Sequence, residues 1–223
     1  MQVHSKHSLQ DHVVDTVPQT FFERFSSRQQ FAYSEADTAL TDPRWTRKDG
    51  TFVRGFMKRA LIEQNGREAA DAASLTWKDI DYKGGRTSCV HVYAGNIRIT
   101  FHRVPSPWSF VPPCDSRRQD AAANRFLDGY VLEGTLCAPL PELRDASAIR
   151  MYVLHGTTHV KGEVVNFCNL AVPDSELKSY CWQMTFEELQ QAYIAKQHTG
   201  RVAQSIQTPK PKFKKNVATG AKE

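Results

Sequence analysis

The sequence predicts an α+β fold, and three observations carry that expectation. Apolar residues recur at helical spacing through the first third of the 223-residue chain. From Lys83 the period switches to two-residue alternation around turn signals, and helical spacing returns near Thr185. At 40% hydrophobic and 10% aromatic, the chain has enough apolar material to bury a core and too much to be disordered throughout. The expected architecture is an amino-terminal helical hairpin, a central antiparallel sheet from two hairpins, a carboxy-terminal helix and a basic extended tail.

The stretch to Val17 is polar and rich in histidine, and reads as an arm. After Pro18, Thr20-Phe21-Phe22-Glu23 has capping-box form, with Phe21, Phe22 and Phe25 on one side of the helix that follows. A basic segment begins after Pro43, and within it Val53, Phe56, Met57, Ala60 and Leu61 fall at helical spacing. Asn65-Gly66 reads as a helix stop. Arg67 to Ile80, Ala-rich and with Trp77 on its apolar face, reads as the second helix of a hairpin.

Beyond Lys83-Gly84-Gly85, Cys89 to Tyr93 and Ile97 to Phe101 read as paired strands around Ala94-Gly95-Asn96. Gln119 to Val131 has helical spacing, and Ala148 to Leu154 and Val160 to Val172 read as further strands. Thr185 and Glu188 form a capping box for the last helix, whose buried face is Phe186, Leu189, Ala192 and Tyr193, with Gly200 as its stop. The domain organisation expected is therefore a polar arm over 1–17, a single α+β domain over 18–204 and a disordered basic tail over 205–223.

Net charge is +5, but from Pro209 onward five lysines face one acid, Glu223, so four of those five charges lie in the tail. The remainder is close to neutral, and any argument for an anionic partner has to be local. Two segments qualify. Arg44, Trp45, Arg47, Lys48, Arg54, Lys58 and Arg59 mix cations with Phe52 and Phe56, the combination that phosphates and unpaired bases require. The competing reading makes Phe52 and Phe56 core residues and the cations a solvated helix face. The tail run containing Lys210, Lys212, Lys214 and Lys215 alternates lysine with proline, stays extended, and suits a phosphate backbone or an acidic protein surface.

Catalytic signals are thin. His155-Gly156-Thr157 has the H-x-T form of two-histidine phosphoesterases, without a second such element, and Asp79/Asp81 offers two carboxylates for a metal-dependent nuclease. His4, His7 and His12 lack the partners of a metal site, and no phosphate-cradling glycine loop or nucleophile elbow is present. Five separated cysteines with no C-x-x-C suit mostly buried thiols in a reducing, cytoplasmic setting, and no apolar run is long enough to span a bilayer. The expectation is a non-enzymatic nucleic-acid-binding protein, of single strands or RNA, needing no cofactor or metal. The alternatives are a phosphodiester-acting enzyme and a subunit or inhibitor docking on an acidic partner.

Overall fold

A computed structural model describes residues 6–39, 47–82, 88–128, 131–132, 135–139, 148–160 and 163–207. In chain order the elements are β1 (Lys6–Ser8), α1 (Leu9–Thr16), α2 (Gln19–Thr38), α3 (Arg47–Ala72), β2 (Thr76–Asp81), β3 (Ser88–Ala94) and β4 (Ile97–Arg103). There follow α4 (Asp115–Ala121), a 3-10 segment (Ala122–Leu127), β5 (Val131–Leu132), β6 (Thr135–Pro139), β7 (Ile149–Val160), β8 (Glu163–Pro173), β9 (Tyr180–Thr185) and α5 (Phe186–Gln207). The class is α+β.

Six strands make the main sheet in the order β2-β3-β4-β7-β8-β9, and β1-β6-β5 make a small second sheet. The main sheet is mixed, where the sequence reads as antiparallel. Two three-stranded meanders meet in a parallel pair, β4 with β7, in register from Ile97 opposite Ile149 to Arg103 opposite His155. Parallel neighbours cannot be joined by a tight turn, so the chain between them makes a long crossover, which carries α4 and the 3-10 segment. Hairpin spacing in a sequence reports local pairs and is silent on how the hairpins dock.

One face of the sheet carries the helices. Along α2, Phe21, Phe22, Phe25, Gln29, Ala32, Tyr33 and Ala36 are buried, a stripe at helical period. Phe25 lies flat on Phe101 of β4 at 5.1 Å, and Phe22 meets Phe186 of α5 edge-on at 5.4 Å. Each such ring contributes about 1.5–3 kcal/mol by leaving water. Gln29 is buried with both ends satisfied, donating to the Phe167 carbonyl and accepting from the Cys168 thiol. The opposite face is covered by the crossover, where Val104, Val111, Ala121, Tyr152, Leu154, Ala171 and Leu177 form a second cluster. Asn124, fully buried, fastens that cover by donating to the carbonyls of Arg150 and Pro173 and accepting from the Arg150 N–H.

Several local expectations are corrected. Residues 6–17, expected as arm, fold: Leu9, Val13 and Val17 are core, and His12 reaches Asn96 Oδ1 at 3.0 Å. Their apolar residues repeat at helical period within a polar composition, so the average hides the stripe. The helix after Pro18 starts at Gln19 without a side-chain cap, not at a Thr20 box. Asn65-Gly66 does not stop α3, which runs on to Ala72, and β2 replaces the expected second helix. The helical hairpin that does form is α2 against α3, antiparallel, with Asn65 donating to the Arg28 carbonyl and Lys58 to Asp37. The true stop is Ser74 in the left-handed region (φ 56°), with Leu75 N–H returning to Ala70 O and Ser74 N–H to Asp71 O. Gln119–Val131 is a short α-helix, a 3-10 segment and the start of β5 rather than one helix. Finally, α5 passes through Gly200 to Gln207, while its capping box is present, Thr185 Oγ1 accepting from Glu188 N–H and Glu188 from Thr185 N–H. The tail from 208 lies outside the described residues.

Gly66 is required for space, not for a turn. A β-carbon there would sit 2.4 Å from the Phe101 ring, so the missing side chain lets α3 close on β4. Replacing glycine by alanine inside a helix ordinarily stabilises by about 0.5–1 kcal/mol. Here Gly66→Ala is expected to destabilise by about 1–3 kcal/mol through overpacking. Urea unfolding measures it, and a variant more stable than the parent would refute the packing account.

Candidate functional site

At the end of the sheet where β4 stops, α3 on one face and α4 on the other leave a cavity of about 390 Å³. Arg59, Ile62 and Glu63 enter it from α3, Thr100 to Arg103 from the end of β4, Cys114 to Asp120 from the crossover, and His155 from β7. Tyr82 and Cys89 close the side beside β3. The parallel pairing explains the convergence, because it sets Arg103 directly opposite His155.

The walls are chemically ordered. On the helix side, Tyr33 lies 2.8 Å from His155 Nδ1, and the Arg103 charge acts on the Tyr33 hydroxyl. Burial, seconded by the Arg103 charge, holds His155 neutral with a pKa lowered to about 3. On the other face Tyr82 OH and Cys89 Sγ both approach His91 Nε2, at 2.9 and 3.6 Å. Burial, with Arg150 and Arg98 nearby, lowers His91 to about 4, and burial raises the Cys89 thiol to about 11. His102 is likewise driven far down by burial and by Arg117, and packs on the Tyr152 ring at 4.2 Å.

Charge in the cavity is unbalanced. Glu63 is taken by Arg59, 2.9 Å away, which also donates to the Ser88 carbonyl. Asp120 is buried and taken by Arg150 at 2.9 Å, a pair placed for charge rather than hydrogen bonding, since Arg150 Nε and Nη1 have no hydrogen-bond partner. Burial nonetheless raises the Asp120 pKa against the pull of Arg150 and Arg98. That leaves Arg103, beside Tyr33, and Arg117, held by the Pro112 carbonyl, with no carboxylate partner among the described residues. An adjoining depression lined by Asp37, Thr51, Arg54, Gly55, Lys58 and Arg103 extends the basic surface along α3.

The cationic residues singled out in the sequence divide accordingly. Arg59 lines the cavity, while Arg54 and Lys58 line the adjoining depression, both paired with Asp37. Lys58 is buried, its ammonium 4.9 Å from the Tyr33 ring. Arg47 and Lys48 lie in the first turn of α3. Arg44, Trp45, Lys210, Lys212, Lys214 and Lys215 fall outside the described residues. Phe52 and Phe56 are not core: they are 68% and 48% exposed, with rings 4.9 Å apart. Phe52, Phe56, Arg59 and Glu63 follow at i, i+4, i+7 and i+11, one stripe of α3 leading from exposed rings into the cavity.

Sequence reasoning gave no site role to Arg103, Arg117, His102 or Cys114: His102 and Arg103 close β4, where alternation reports only which face a residue takes, and Cys114 and Arg117 follow a proline-rich stretch with no periodic signal. His155 is buried against Tyr33, Asp79 is paired with Arg67 at 2.7 Å on the edge strand β2, and no metal-holding group of three His, Cys, Asp or Glu occurs among the described residues. No family model, curated protein or solved structure matches the chain. Fold and site together define an α+β protein with a cation-rich cavity beneath a pair of exposed aromatic rings. Among the described residues no helix is long and apolar enough to cross a membrane.

The histidines make stability acid-sensitive. His155 and His91 have folded pKa values of about 3 and about 4, below the ordinary value of 6.5, so the unfolded chain takes up protons the native one refuses. Their contribution is intact above pH 6.5 and is lost as pH falls toward those values, on the order of 2 kcal/mol per histidine by pH 5. Urea melts from pH 7 to 5 should show this fall, and His155→Gln should flatten it; a parent equally stable at both pH values would contradict the assignment.

Thiol chemistry gives a second check. Cys114 is exposed; its slight burial works against ionisation but is outweighed by hydrogen bonds from the Ser116 hydroxyl and the Arg117 N–H and by the Arg117 charge, so its pKa is lowered. Cys168 and Cys181 are buried and raised. Of these three, only Cys114 is expected to react rapidly with a maleimide in the native protein, and Cys114→Ser should remove that fast phase. Mass mapping that puts the fast label on Cys168 or Cys181 would refute it.

Proposed function

We propose that this chain is a nucleic-acid-binding protein that holds a single strand along α3, bases on the Phe52/Phe56 pair and phosphates on Arg54, Arg59 and the neighbouring cations. The observation that carries the reading is the exposure of those two rings in line with Arg59. Large apolar rings held in water beside cations are what an unpaired base and its phosphate use together, while a merely solvated helix face has no need of them. Arg47 and Lys48 extend the same end of α3, and Arg44, Trp45 and the Lys210–Lys215 run add charge and one more ring in sequence. Duplex grooves are less well served, because the stripe continues into Glu63 and carries no row of base-reading donors.

The test is an anisotropy titration of single- and double-stranded oligonucleotides at several salt concentrations, with thermal melts to confirm folding. Phe52→Ala/Phe56→Ala should weaken single-strand binding by about 1–3 kcal/mol per base unstacked, with little change in the salt slope. Arg47→Glu/Lys48→Glu/Arg54→Glu should instead make the log–log slope shallower by about two units, near 0.7 per lost contact. If folded variants bind as the parent does, or the parent binds neither form at low salt, the reading fails and an acidic protein partner takes its place.

A further inference from the structure

The cavity holds something the strand surface alone does not require. Backbone phosphodiesters carry one charge each and pass along a surface, whereas the cavity is a recess of about 390 Å³, the size of a small-ligand site rather than of a run of chain. Two guanidinium groups, Arg103 and Arg117, enter it from different elements, and both lack a carboxylate partner among the described residues. Arg59 and Asp120 are already matched, so the surplus is two positive charges. The histidines beside them, His102 and His155, are neutral and add nothing to that sum.

A phosphate monoester matches this surplus, and a diester does not. At neutral pH its charge is about −1.5 to −2, and its three free oxygens accept hydrogen bonds from planar guanidinium donors. Thr100 and Ser116 supply neutral hydroxyls on the same walls. We propose that the cavity is a binding site for a phosphomonoester carried on a nucleotide: the phosphorylated end of a strand whose next bases lie on Phe52 and Phe56, or a free mononucleotide. The strand-end form rests on the single-strand reading above. It adds that Arg103 and Arg117 grip the terminal phosphate while α3 carries the following residues.

The experiment compares full-length protein binding to four labelled single strands of one sequence: hydroxyl-ended, 5′-phosphorylated, 3′-phosphorylated and circular. One phosphorylated form is expected to bind about tenfold tighter than the hydroxyl-ended strand, as charge-assisted hydrogen bonds to a dianion imply. Arg103→Gln and Arg117→Gln, both partly or fully solvent-exposed, should each abolish that preference, and Arg117→Gln, on α4 and away from the basic surface of α3, should leave binding to the circular strand unchanged. Calorimetry with an adenosine and a thymidine monophosphate separates the two sources. Monophosphates that bind as tightly as the phosphorylated strand would make the free nucleotide the ligand, and much weaker binding would make it the strand end. Equal affinity for all four strands with no monophosphate binding would overturn the proposal and leave the strand reading standing. Loss of circular-strand binding in the parent would instead sink the strand reading, while monophosphate binding abolished by Arg117→Gln would still uphold the cavity. Should a glutamine variant melt early, the parent's own preference among the four strands decides the matter.

Discussion

The parallel contact between β4 and β7 is the constraint on which the rest of the molecule depends. Everything else in the main sheet is nearest-neighbour meander, which any run of alternating strands with short turns forms by itself. Setting β7 beside β4 in the same direction forces the intervening chain to leave one end of the sheet and return at the other. The crossover is then available to seal the face the helices leave bare, and Asn124 and the Asp120–Arg150 pair fasten it there. Because β4 ends while β7 continues, the same pairing opens a recess bounded by two faces of the sheet at once. The cavity is a by-product of topology before it is a collection of side chains.

Burial in that region follows a consistent logic. Imidazoles, a thiol and phenols are placed where the charged form of each is disfavoured, so their polar atoms act as fixed neutral donors and acceptors. The permanent charges are carried by arginines, which cannot surrender their protons. The cations of the recess therefore do not titrate between weakly acid and weakly alkaline solution, and Cys114, its thiol pKa lowered, is a lining group poised to add negative charge as pH rises. The arrangement separates what holds the site together from what the site presents.

Much of the fold was legible in the sequence, and the misses share a cause. The hairpin of β3 with β4, in register over Val92–Ala94 and Ile97–Ile99 around a turn tighter than the Ala94-Gly95-Asn96 reading, and the capping box at Thr185 are set by contacts a few residues apart. Asn65-Gly66 has the local look of a helix end. It is overruled by two long-range facts, the Arg28 carbonyl that Asn65 satisfies and the Phe101 ring that Gly66 accommodates. The amino-terminal segment looked polar on average, yet Leu9 and Val13 suffice to dock it. The site was legible only along α3. Arg59 could be found from its helix, but the significance of Arg103 and Arg117 exists only once β4 has met β7, and no spacing along the chain encodes that meeting.

The contact of Gly66 with Phe101 bears on how sequences with this fold can diverge. The two positions fill one shared volume, so they are not free to drift separately. A larger residue at 66 is tolerated only if 101 shrinks, and a chain with leucine or valine at 101 has room for alanine at 66 together with the greater helix preference that alanine brings. Among distant relatives the pair should therefore change in concert, glycine with an aromatic ring or alanine with a smaller aliphatic, and that joint substitution would mark kinship where overall identity has faded.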